Sequence, residues 1–239
     1  MAGHSKWANI KHRKGRADAK KGKIFSQVAK EIISAVKVGG ADPKNNPRLR
    51  LAIQKARQAN MPSDNVERNI KKAEGGDQEH YDEITYELYG HGGVGIIVEV
   101  MTDNKNRSAS DIRIATNKRG GTIAEPGSVQ FNFDRKGVIQ IIKSQAIEDE
   151  LFMAATDAGA EDFDASDDES YMVITEPTQL FAVHDKLAEQ GFVIESAGLE
   201  MIPKVTIACD PETAESNQAL LDWIDDIEDV SQVFHNMEY

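Results

Sequence analysis

VIQIIKSQAIEDELFMAATDAGAEDFDASDDESYMVITEPTQLFAVHDKLAEQGFVIES, residues 138–196, reads as six alternating elements. Val138–Ile142 is a short β-branched run of strand type, and Ile147–Ala158 repeats its apolar residues at helical steps. Asp162–Ala165 and Tyr171–Thr175 return to strand character, Pro177–Gln190 is helical again, and Phe192–Ser196 closes the set as a strand. The order β-α-β-β-α-β is that of the ferredoxin-like unit.

The flanks of this stretch are expected to form a second domain around it. On the N-terminal side, Ile84–Tyr89 and Val94–Val100 read as strands across the turn Gly90–Gly93, residues 105–118 as a helix, and Ser128–Phe133 as a further strand. On the C-terminal side come a strand over Met201–Ile207, a helix opened by Asp210-Pro211 and ending near Ile227, and a strand at Val230–His235. The two flanking β-α-β segments each lack a partner half, so they are expected to join into one ferredoxin-like domain with the other inserted in it.

Residues before 77 have helical spacing only. Phe25, Val28, Ala29, Ile32 and Val36 share one face, and Gly39-Gly40 stops the run. A second helix starts at Asn46-Pro47, a capping side chain followed by proline at the first helical position, and buries Leu49, Ile53 and Ala56. A third follows Pro62-Ser63, with Asp64 and Glu67 at its start and Lys71 and Lys72 at its end, an arrangement that complements the helix dipole. The fold class is therefore α+β: an N-terminal three-helix bundle plus two ferredoxin-like α+β domains, one interrupted by the other. The expected boundaries are 1–77 for a basic arm and the bundle, 78–134 plus 200–239 for the discontinuous domain, and 135–199 for the insert.

Charge is divided along the same line. Residues 1–23 hold eight Lys and Arg against one Asp, and residues 1–75 carry a net +12, whereas residues 76–239 carry −24. The net −12 of the whole chain thus hides a basic head on an acidic body. The natural partner of such a head is a polyanion. Trp7, Ile10 and His12 interleave with the cations, where an aromatic can stack on a base, and Gly3 and Gly15 let the backbone approach phosphates. The expected nucleic-acid contacts are Lys6, Trp7, Lys11, His12, Arg13, Lys14, Arg16, Lys20, Lys21 and Lys23 of the arm, with Arg48, Arg50, Lys55 and Arg57 of the second helix. No helix presenting Asn, Gln and Arg to base edges is evident, nor is a dimer seam, so sequence specificity is not expected.

Other chemistries find little support. Gly90-His91-Gly92-Gly93-Val94-Gly95 matches GxGxxG, but strand-like Ile96–Val100 follows where a dinucleotide site needs a helix N-terminus, so a hairpin turn is expected. The six histidines do not stand at zinc-ligand spacing, and the acidic runs 161–169 and 222–229 lack the register of a calcium loop and read as solvated edges. The single Cys209 has no CxxC or Cys/His neighbourhood, which suits a reducing cytoplasm. No run of about 18 apolar residues marks a membrane span. No catalytic residue, metal or cofactor is expected.

The opening Gly3-His4-Ser5-Lys6-Trp7-Ala8-Asn9-Ile10-Lys11-His12-Arg13-Lys14, followed by Asp18-Ala19-Lys20-Lys21-Gly22-Lys23, resembles the signature of the YebC family. Gly39-Gly40-Ala41-Asp42-Pro43, Ala59-Asn60-Met61-Pro62, Tyr86-Glu87-Leu88-Tyr89-Gly90 and Gly127-Ser128-Val129 agree with it, so the resemblance spans essentially the whole chain. It implies a three-domain cytoplasmic protein. Two descriptions of the family compete: regulators of transcription that bind DNA, and ribosome-associated factors that bind ribosomal RNA and relieve stalling on proline-rich stretches, with a mitochondrial relative that activates translation of a cytochrome oxidase subunit. Both place the contact on a basic surface and need no catalytic residue.

Overall fold

The computed structural model describes residues 21–75 and 80–238, so the arm up to residue 20 lies outside the described residues. Helices α1 (Lys21–Gly39), α2 (Pro47–Gln58) and α3 (Ser63–Glu74) come first. They are followed by β1 (Asp82–Tyr89), β2 (Gly95–Thr102), α4 (Lys105–Lys118) and β3 (Thr122–Ile123). Then come β4 (Phe133–Ile142), α5 (Glu148–Ala158), β5 (Asp162–Asp164), β6 (Ser170–Thr175), α6 (Leu180–Glu189) and β7 (Ile194–Pro203). The chain ends with β8 (Ile207–Ala208), α7 (Pro211–Asp226), β9 (Val230–His235) and β10 (Met237–Glu238). Residues 133–202 form one compact unit, and the remaining described residues form the other.

In the first unit the sheet order is β5-β6-β4-β7, with β4 and β6 antiparallel from Gly137↔Thr175 to Ile142↔Ser170. This is the strand order that a β-α-β-β-α-β chain takes when each helix carries the chain past one strand. Ile139, Ile141, Leu151, Leu180, Val183 and Leu187 are fully buried, and each contributes about 1.5–3 kcal/mol. At Gly137 the sheet and α6 meet so closely that a Cβ would lie 2.2 Å from Thr175 Oγ1 and 2.8 Å from Leu180 Cβ.

In the second unit the order is β3-β1-β2-β9, antiparallel throughout, with the β1–β2 hairpin at the centre. Ile112 and Ala115 of α4 and Leu220, Leu221 and Ile224 of α7 pack on Ile96, Val98 and Val100 of β2, so one face of this sheet carries two helices. The hairpin turn has Gly92 at φ 67° and Gly93 at φ 80°, values that glycine adopts at no steric cost. Asn217 of α7 fixes the turn, accepting from the His91 amide at 2.7 Å and donating to its carbonyl at 3.0 Å. A strand follows these glycines, so the GxGxxG run is a hairpin without a phosphate-facing helix.

The α+β class holds, with N-terminal helices and two sheet-bearing parts, but two strand assignments change. Ser128–Phe133 is not a strand: Gln130–Asn132 is a single 3-10 turn, and β4 starts at Phe133. The cause is Glu87, whose buried carboxylate accepts from the amides of Gly127, Val129 and Gln130 at 2.5, 2.7 and 2.8 Å, which removes the donors a strand ladder would use. The edge place is filled by β3. The expected strands at Phe192–Ser196 and Met201–Ile207 are mostly one element, β7, and β8 pairs in parallel with β10 in a separate two-stranded sheet.

The bundle core is Val28, Ile32, Ile33 and Val36 of α1 with Leu49, Ala52 and Ala56 of α2 and Val66 and Ala73 of α3. Asn46 caps α2, accepting from the Leu49 amide at 3.0 Å and donating to the Ala35 and Gly40 carbonyls at 2.7 Å. Among the described residues no helix is long and apolar enough to cross a membrane.

Candidate nucleic-acid interface

Of the fourteen expected contact residues, Lys6, Trp7, Lys11, His12, Arg13, Lys14, Arg16 and Lys20 lie outside the described residues. Lys21 is the first residue of α1. Lys23, one turn in, is held by the end of α7: its ammonium bonds the Asp225 carbonyl and lies 3.8 Å from the Asp225 carboxylate.

The four bases of α2 divide into two kinds. Arg48 takes Glu31 with Nε at 2.8 Å and Nη2 at 3.2 Å, and Glu83 with Nη2 at 2.6 Å. Burial works against its charge, but the two carboxylates outweigh it and raise its pKa above the ordinary arginine value. Arg48 is thus a tie between α1, α2 and β1. Arg50 is half-buried. Lys55 and Arg57 are exposed in the last turn of α2, where they also complement the negative end of the helix dipole. The structure therefore leaves Lys55 and Arg57 exposed on the surface and turns Arg48 and Lys23 inward.

Sequence reasoning missed the strongest charge cluster. Asp229, read as part of a solvated acidic run, is buried, and it accepts from Lys30 at 2.7 Å, Arg107 at 2.8 Å, Ser108 at 2.8 Å and Thr102 at 3.0 Å. Burial pushes this carboxyl up, yet the hydrogen bonds from Lys30, Arg107 and Ser108 prevail and hold it at about 2. Lys30 also donates to the Met101 carbonyl at 3.2 Å, and Gln27 of α1 bonds the Val230 carbonyl. The cluster is a latch between the bundle and the β2–β9 edge. With every oxygen occupied by donors, Asp229 has no lone pair left for a metal or a proton-transfer step. No local signal marks it, since Lys30 and Arg107 lie 199 and 122 residues away in the chain.

Three acids of the run 161–169 are engaged within the protein as well. Asp164 accepts from the Ser166 amide at 2.9 Å, Asp167 from the Glu169 and Ser170 amides at 2.9 Å, and Glu161 from Lys136 at 2.6 Å. Burial beside Asp210 pushes the Cys209 thiol up, which disfavours a thiolate. Among the described residues no group of three or more His, Cys, Asp and Glu is placed to hold a metal ion.

Comparison with known proteins fixes the relationship. Residues 5–76 match the TACO1/YebC protein N-terminal domain, and residues 81–237 match the TACO1/YebC second and third domain. The chain belongs to the TACO1/YebC family. A TACO1/YebC relative from Protochlamydia amoebophila, named a probable transcriptional regulatory protein, is 66% identical over 238 residues, covering 100% of this chain and 97% of that one. One from Chlamydia pneumoniae with the same name is 58% identical and covers 99% and 100%. The crystal structure of a conserved hypothetical protein from Aquifex aeolicus superposes with a TM-score of 0.86 at 41% identity, covering 98% of this chain and 97% of that one.

Proposed function

We propose that this protein is a non-enzymatic, DNA-binding regulator of transcription in the cytoplasm, gripping duplex DNA with its basic N-terminal arm and the exposed bases of α2. The observation that carries this reading is the charge division: +12 over residues 1–75 against −24 over the rest, with Lys55 and Arg57 left facing solvent. Cations on one part of an acidic chain attract a polyanion to that part and repel it from the remainder. Contact with phosphates releases condensed counterions, so log affinity falls with log salt at a slope near −0.9 per neutralised phosphate. The names of the relatives from Protochlamydia and Chlamydia support the regulatory role.

Ultraviolet cross-linking in the protein's own cells, followed by nuclease treatment and sequencing of what stays attached, tests this proposal. Recovery of DNA near promoters is expected. Recovery of ribosomal RNA at a few defined positions would overturn it in favour of a translation factor.

A further inference from the structure

The acidic body contains ten Lys and Arg after residue 75, and eight of them have partners inside the protein. Lys105 pairs with Asp82 at 3.0 Å, Arg107 with Asp229 and Asp103, and Lys136 with Glu161 and Glu176. Lys143 and Lys186 donate to the carbonyls of Ala165 and Ala158, Lys204 to that of Phe131, and Arg135 is also engaged. Arg119 lies with its guanidinium 5.2 Å from the Trp223 ring centroid, and the two left over, Arg113 and Lys118, are both exposed on α4. In a body where acids outnumber bases by 34 to ten, two exposed cations on one helix that bond no other described residue point to an outside partner.

The same helix face carries hydrogen-bonding side chains. Asn106, Ser110, Arg113 and Asn117 stand at i, i+4, i+7 and i+11, one stripe of an α-helix, and all four are exposed. The stripe runs for about 16 Å, bordered by exposed Ile114 (49%) and by Lys118. None of the four bonds another described residue through its side chain. The opposite face, Ser108, Ile112, Ala115 and Thr116, is buried, so α4 is held rigidly with this stripe outward. The negative end of the helix dipole accounts for a cation at Lys118, but not for Asn106, Ser110 and Asn117.

We infer that α4 is a second nucleic-acid contact, lying along the major groove of duplex DNA. Arg113 and Lys118 meet phosphates, Asn106 and Asn117 meet base edges, and Ile114 faces a thymine methyl. The major groove of B-DNA is about 12 Å wide and admits an α-helix, and Asn paired with adenine and an apolar group against the thymine methyl are the pairings its geometry favours. The deep, narrow major groove of A-form RNA does not admit such side chains. The inference rests on the nucleic-acid reading above and adds to it a base-reading surface on the body.

The test uses the full chain and a 30-base-pair duplex of random sequence, as DNA and as RNA, with anisotropy followed through a salt titration. R113A/K118A is compared with Q179E/Q190E, which changes net charge equally on the exposed ends of α6. R113A/K118A is expected to weaken DNA binding and flatten the salt slope by about 1.8, with the RNA slope unmoved and the control near wild type. A DNA slope that falls no further than the control's, or a loss confined to RNA, overturns the α4 contact while leaving the arm's role intact. Failure of the wild type to bind either duplex overturns the nucleic-acid reading itself. N106A/N117A follows by selection from a random DNA library: the wild type is expected to enrich a motif that this variant loses, and identical enrichment overturns the base-reading role.

Discussion

The bundle and the inserted unit use charge in opposite ways. Residues 21–75 carry a net +7, whereas residues 133–202 carry −12. In the insert the few bases are held by its own groups, Lys136 between Glu161 and Glu176 and Lys143 and Lys186 by carbonyls. In the bundle some bases are turned inward as struts, Lys30 to Asp229 and Arg48 to Glu31 and Glu83, while Lys55 and Arg57 remain in water. A count of charges cannot separate strut from contact. Geometry does, and the two kinds respond differently to substitution.

The largest effect is expected at the strut of the bundle. Asp229→Ala leaves the Lys30 and Arg107 charges without their buried partner, a loss of about 3–5 kcal/mol. The melting temperature should drop by about 10 °C, as read by calorimetry; an unchanged value would show that the latch contributes nothing. Next in size is acid sensitivity. With Asp229 at about 2 in the fold and about 3.9 in the unfolded chain, its contribution of about 2.5 kcal/mol is fully present above about pH 4 and disappears as pH falls through about 2. Three amide bonds to Glu87 outweigh its burial and lower its pKa as well, adding loss of the same sign. Urea midpoints measured from pH 5 to 2 should fall steeply for the wild type and less so for Asp229→Ala.

Smaller effects distinguish strut from contact within α2. Arg48→Ala should cost about 1 kcal/mol, since its partly exposed pairs are screened by solvent, and should leave the salt slope of DNA binding alone. K55A/R57A should do the reverse, flattening that slope by up to about 1.8 with the melting temperature nearly constant. If Arg48→Ala flattened the slope as much, the division between the two kinds of base would be wrong.

How far the fold was legible in the letters follows from the range of the forces involved. Elements set by their own periodicity came through: residues 105–118 form α4 as expected, and the β-α-β-β-α-β order of the insert gives its sheet. The failures lie where a distant side chain overrides local preference. Ser128–Phe133 alternates like a strand, but Glu87, about 40 residues upstream, takes its amides. Asp229 looks like one more acid in a solvated run until α1 and α4 deliver Lys30 and Arg107 to it. The charge is split in the same way: clustering of bases in the sequence marks the basic half, but which of its described bases face outward depends on partners far along the chain.

The most direct test of the account is the salt dependence of duplex DNA binding by the full chain with Lys11, Arg13, Lys14 and Arg16 replaced by alanine. The basic half as the grip predicts weaker binding to every DNA sequence and a slope flatter by up to about 3.6, with the folded body unchanged. Affinity and slope equal to the wild type would contradict it.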